Sequence, residues 1–120
     1  MKPLEEIVKQ EPIFLNDWSE TKQEGLLQDF QIKSIEGKIL FATYSYQDYS
    51  GDAFVLLENE GKLFEVNGGH CSCYGLEGQF DLSETTIEAL QHRLVEGSMG
   101  HDSYCGNEYA IELKQFLGIE

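Results

Sequence analysis

Three runs of β-branched and aromatic residues follow one another with hardly any chain between them: Ile39-Leu40-Phe41-Ala42-Thr43-Tyr44-Ser45-Tyr46, Ala53-Phe54-Val55-Leu56-Leu57 and Leu63-Phe64-Glu65-Val66. Asp48-Tyr49-Ser50-Gly51-Asp52 separates the first two and Asn59-Glu60-Gly61-Lys62 the last two, both rich in turn-forming residues. Connections this short admit only antiparallel neighbours, because a parallel pair needs a crossover of a dozen residues or more. The segment at about 38–67 therefore predicts an antiparallel meander of three strands or more. In the last run Leu63/Glu65 and Phe64/Val66 alternate, as in a strand with one buried face.

The flanking segments carry helical periodicity. In the N-terminal part, about 1–36, a short helix is expected from Pro3, with Leu4, Ile7 and Val8 on one side and a stop before Pro12. Asp17-Trp18-Ser19-Glu20 has the spacing of a capping box, with Trp18, Leu26, Leu27 and Phe30 as the apolar stripe beyond it and Gly25 interrupting that stripe. In the segment 81–120, Asp81 and Glu84 are positioned to cap a helix with Ile87, Leu90, Leu94 and Val95 on one face, Arg93 near its end and Gly97 closing it. Asn107 is the expected cap of a last helix, with Tyr109, Ala110, Leu113, Phe116 and Leu117 buried and Gly118 as its stop. Helices, a meander, then helices argue a single α+β domain spanning 1–120, with the helices packed on one face of the sheet. A His/Cys connection, 68–80, would follow the turn signal Asn67-Gly68-Gly69 and cross to the helical layer.

A chain of 120 residues with 41% apolar content supplies enough core to fold without staples. It has no apolar run long enough to span a bilayer and no signal-peptide pattern behind Met1-Lys2-Pro3-Leu4. Three cysteines without framework spacing fit a reducing compartment. These features together predict a cytoplasmic protein.

Charge is the strongest functional constraint. There are 22 acidic and 8 basic side chains, for a net charge of −14 at pH 7. The imbalance is uneven: residues 1–38 carry 8 acids and 5 bases, whereas residues 39–120 carry 14 acids and only Lys62, Arg93 and Lys114. Such a surface repels phosphate and anionic lipid, which excludes direct nucleic-acid and membrane binding.

His70-Cys71-Ser72-Cys73-Tyr74-Gly75 is the most chemically loaded stretch. Cys71, Cys73 and His70 are candidate zinc ligands, with Cys105, His92 or His101 to complete the set, although a single residue between two thiolates is tighter than the usual two-residue knuckle. The competing reading makes both cysteines small buried apolar residues. A cysteine nucleophile needs a positive environment that this chain scarcely has, and no Gly-Lys-Ser/Thr follows the glycines to form a P-loop. Carboxylate pairs such as Asp48 with Asp52 arise by chance at this acid content, so no catalytic pair is assigned.

Carboxylates held on a rigid domain resemble the phosphates of a nucleic acid, which repeat about every 3.4 Å along each DNA strand, and they are attracted to basic channels. Glu58, Glu60, Glu65, Glu77, Asp81, Glu84 and Glu88 have few cations near them in sequence and are the candidate partner contacts. Tyr46 and Tyr49, with Tyr44 and the neighbouring Asp52, form a second candidate surface, since tyrosine combines apolar area with a hydrogen-bonding tip.

The stretches Tyr46-Gln47-Asp48-Tyr49-Ser50-Gly51-Asp52-Ala53-Phe54-Val55 and Glu65-Val66-Asn67-Gly68-Gly69-His70-Cys71-Ser72-Cys73-Tyr74-Gly75-Leu76-Glu77-Gly78-Gln79 resemble a family of small uncharacterised bacteriophage and prophage proteins. The resemblance covers mainly residues 38 to 95. Members of that family tend to carry Ser at the place of Gly69 and Trp at the place of Phe80, and Cys105 lies outside the pattern. The resemblance implies a bacterial cytoplasm. With the charge, it leads to the expectation of a non-enzymatic inhibitor, of anti-CRISPR or anti-restriction type, that mimics nucleic acid toward a basic host or defence protein. A small zinc-binding structural or regulatory module built on the His/Cys segment is the alternative.

Overall fold

The structure, a computed structural model, describes residues 2–47, 50–70, 76–97, 99–100 and 109–119, and of residues 46, 47, 50 and 70 the backbone alone. Helix α1 (Leu4–Lys9) starts directly after Pro3, whose missing N–H costs nothing there, and Ile7 is its buried residue. Strand β1 (Ile13–Asn16) follows and lies parallel to β2 (Lys38–Gln47), with Ile13 opposite Phe41 and Asn16 opposite Tyr44. A parallel pair requires a crossover, and residues 17–37 provide it with helix α2 (Lys22–Phe30). The expected meander then runs as β2, β3 (Ser50–Asn59) and β4 (Lys62–His70), all antiparallel. A short β5 (Ser83–Thr85) pairs with β4, and helices α3 (Ile87–Val95) and α4 (Ala110–Leu117) follow. The sheet order is β1-β2-β3-β4-β5. This is an α+β fold with a mostly antiparallel, meander-like sheet.

The strand alternation places two apolar clusters, one on each face. Phe54 and Leu56 point to the same cluster as Ile7, Leu90, Leu94, Leu113, Phe116 and Leu117, so α1, α3 and α4 cover that face. Ala53, Val55, Leu57 and Val66 point the other way and meet Trp18, Leu26, Phe30 and Leu76. Helices thus cover both faces and not one. The reason is that β3 reads apolar at every position from Ala53 to Leu57, and such a strand is stable only when both of its faces are covered. A register shift between Ile39 and Phe41 turns Leu40 and Phe41 to the same side, adding an extra side chain to the first cluster.

Several local expectations change. The Asp17–Glu20 capping box does not form: α2 begins at Lys22, after Thr21, which makes no side-chain cap bond, and Lys22 itself has φ 56°. Gly25 is not a gap in the stripe, because a Cβ there would lie 1.9 Å from Thr21 Oγ1. Asp81 and Glu84 do not cap α3. Thr86 does, its hydroxyl accepting from the Ala89 N–H at 3.1 Å, while Glu84 sits in β5. Asn67-Gly68-Gly69 is strand and not turn, paired with Phe54, Ala53 and Asp52. Gly68 is needed there because its α-carbon faces Leu76 closely: a Cβ would come within 3.0 Å of Leu76 Cδ2. Asn107 lies outside the described residues. Gly118 ends α4 in the left-handed conformation, as expected.

Candidate functional site

Strand β4 and its neighbours set the candidate acidic residues in different surroundings. The two-residue turn between β3 and β4 is Glu60-Gly61, both at positive φ (54° and 80°), as hairpins of this length demand. Glu60 is exposed at its tip, and Glu58 is half-buried with its carboxylate accepting from the Gly61 N–H at 2.8 Å. Pairing of β5 with β4 brings Glu84 to the same end of the sheet, 3.9 Å from Lys62 Nζ, and Glu88 follows exposed in the first turn of α3, where the helix dipole favours a negative charge. Lys38 is the cross-strand neighbour of Glu58, yet its ammonium donates to the Val8 and Gln10 carbonyl oxygens at the C-terminal end of α1. Four carboxylates, at 58, 60, 84 and 88, therefore collect around one end of the sheet.

That end also carries a cavity of about 550 Å³, walled by Pro3, Leu4, Leu63 and Ile87, with Lys2, Lys62, Glu84 and Glu88 as its charged lining residues. Glu88 and Glu84, the latter shared with Lys62, beside apolar wall offer a Lys or Arg side chain a place for both its halves, an aliphatic stem and a charged head.

The remaining acidic candidates lie apart from this group. Glu77 and Asp81 are exposed on the connection between β4 and β5, which packs on the opposite face through Leu76 and Phe80. Asp52 is opposite Gly69, toward the far end of β3 from the Glu60 turn, and partial burial pushes its carboxyl above the ordinary aspartate range.

Glu65 departs most from expectation. It is 6% exposed and so is not a surface contact. Arg93 of α3 reaches it with one nitrogen, Nη1 lying 2.8 Å from Oε1 and 2.7 Å from Oε2, and Asn67 Nδ2 donates to Oε1 at 2.8 Å. Burial pushes the Glu65 carboxyl up, but hydrogen bonds from Arg93, Asn67 and Thr85 and the Arg93 charge outweigh it and hold the group below the ordinary glutamate range. The pairing is hidden in the sequence because Arg93 is 28 residues away. The alternation with Leu63 was the legible clue, since Leu63 also belongs to the face covered by α3.

Tyr109 joins this region. It stacks on Phe54 with ring centroids 5.1 Å apart and planes 9° apart, and is 7% exposed. Burial, then the negative charge of Asp52, raises its phenol well above the usual range, so the hydroxyl stays protonated. Tyr44, by contrast, belongs to the core, its ring 5.2 Å from that of Trp18, and is removed from the candidate contact surface.

Tyr49, Cys71 and Cys73 lie outside the described residues, and so do the side chains of Tyr46 and His70, whose backbones end β2 and β4. Among the described residues no cluster of three or more His, Cys, Asp or Glu could hold a metal, and no helix is long and apolar enough to cross a membrane. Comparison of the chain with family models, with curated proteins and with solved structures returns no match.

Proposed function

We propose that this chain is a non-enzymatic, phage-type acidic binding protein that acts in the bacterial cytoplasm. It occupies a basic surface of a nucleic-acid-handling host or defence protein and so competes with the nucleic acid. The observation that carries this reading is the end of the sheet where Glu84 and Glu88 stand on the rim of a partly apolar cavity and Glu58 and Glu60 lie at the adjoining β3–β4 turn. A carboxylate coat that served solubility alone has no need of an adjoining hollow, whereas a partner's lysines and arginines need both acids and apolar wall. Rigidity supports it too: the tight turn fixes the backbone at Glu60 and the Gly61 N–H holds the Glu58 carboxylate, so less freedom is lost on docking. The chain's −14 charge adds long-range attraction that speeds encounter with a basic partner.

The test is affinity capture from a bacterial host lysate, followed by titration of the captured protein's nucleic-acid binding with the purified chain. Binding is expected to weaken steeply between about 50 and 200 mM salt. The fourfold variant Glu58→Gln/Glu60→Gln/Glu84→Gln/Glu88→Gln should lose about 1–4 kcal/mol, at roughly 0.2–1 kcal/mol for each exposed pair. A partner held equally well by that variant, or one whose nucleic-acid binding the chain leaves intact, overturns the proposal.

A further inference from the structure

We propose that the cavity at the C-terminal end of α3 binds a compact, uncharged molecule bearing carbonyl acceptors, of the amide or imide class. This cavity is about 430 Å³, is lined by His92, Arg93, Glu96, Gly97, Met99 and Tyr109, and lies at the other end of α3 from the cavity beside Glu88. One buried hydroxyl points to a ligand, and a partly solvated guanidinium beside it supplies further donors. Arg93 makes both of its bonds to Glu65 through Nη1, so Nε and Nη2, with three N–H donors between them, have no partner among the described residues. Tyr109 is 93% buried, at 7% exposure, yet its hydroxyl makes no hydrogen bond to any described residue. Buried hydroxyls nearly always find a partner, and one left without is the mark of a place that a ligand or water completes.

The donors face an environment that selects against anions. Glu65 already neutralises Arg93, Glu96 stands on the cavity wall, and Asp52 lies near enough to act on the Tyr109 hydroxyl. A second carboxylate would meet this negative surplus and the charge of the whole chain. A neutral carbonyl accepts from the guanidinium and the phenol without that repulsion. Glu65 acts here as a positioning residue: buried and bonded to Asn67 as well, it anchors the guanidinium at Nη1 and leaves Nε and Nη2 available.

Succinimide is a suitable probe, with acetate as a charged comparison, each followed by proton–nitrogen correlation NMR that includes the arginine Nε–H. Succinimide is expected to shift the Arg93 Nε–H saturably with a dissociation constant on the order of a millimolar, as suits so small a molecule. Acetate should need at least about ten times the concentration, given the repulsion it meets. Tyr109→Phe keeps the ring stacked on Phe54 and should weaken succinimide about tenfold through loss of one hydrogen bond. The proposal is overturned if succinimide produces no saturable shift, if acetate binds as well, or if Tyr109→Phe binds as tightly as the parent.

Discussion

Replacing Arg93 with alanine strands a buried carboxylate, and its cost can be worked from the geometry. Glu65 has a side chain 8% exposed, while that of Arg93 is 41% exposed. Removing one partner of a fully buried pair costs about 3–5 kcal/mol. Here the arginine is partly in water and Asn67 still donates to the carboxylate, so solvent screening lowers the expected loss to about 2 kcal/mol. With a urea m-value of roughly 1.5 kcal/mol/M, the midpoint should fall by about 1.3 M. Glu65→Gln leaves a partly solvated arginine instead and should cost about 1 kcal/mol. The double variant should cost about 2 kcal/mol and not the sum of the two, a coupling of about 1 kcal/mol.

The pH dependence gives a second check on the same reasoning. In the parent, the folded carboxyl of Glu65 titrates below its unfolded value of about 4.3, so its stabilisation is complete above that pH and is lost as pH falls through the lower folded value. In Arg93→Ala, burial is opposed by fewer donors and the folded carboxyl should titrate above the unfolded value. Acidification from neutrality then relieves the variant before it harms the parent, and the stability gap narrows toward pH 4. Urea titrations at pH 7, 5.5 and 4 would decide it. A gap under about 0.5 kcal/mol at pH 7, within the range of ordinary surface substitutions, or one that stays constant with pH, would refute the account.

Two further outcomes are expected. Trp18→Phe removes the bond from Nε1 to Asp29 Oδ2 at 2.8 Å and part of a ring packed against Phe30 and Tyr44, and should cost about 2 kcal/mol; since it deletes the chain's one tryptophan, far-UV circular dichroism should follow the unfolding, and a loss under about 0.5 kcal/mol would mean that the ring is not the keystone of the second cluster. The purified chain is expected to carry no stoichiometric zinc and to unfold at the same urea concentration with and without chelator; bound zinc together with a midpoint that falls on chelation would assign His70, Cys71 and Cys73 to a metal.

The meander was legible because its information is local. Turn residues such as Glu60-Gly61, and runs such as Ala53–Leu57, declare strand and reversal within a few positions. Helices α1, α3 and α4 were legible for the same reason, since Ile7, Leu90, Leu94, Leu113 and Leu117 recur at helical spacing. Strand β1 was not: Ile13-Phe14-Leu15 is short, and only the α2 crossover puts it beside β2. β5 was missed because three exposed or half-exposed polar residues carry no strand pattern and become strand only by borrowing the edge of β4.

Composition alone determined that the protein is strongly acidic, because charge needs no folding to be counted. Which carboxylates reach solvent was decided by the fold. Glu60 and Glu65 read alike as residues, yet a hairpin turn puts the first in water, while the packing of α3 over β4 buries the second against Arg93. Exposure and ion pairing are properties of surfaces brought together from distant parts of the chain, and they arise only when the helices close over the sheet.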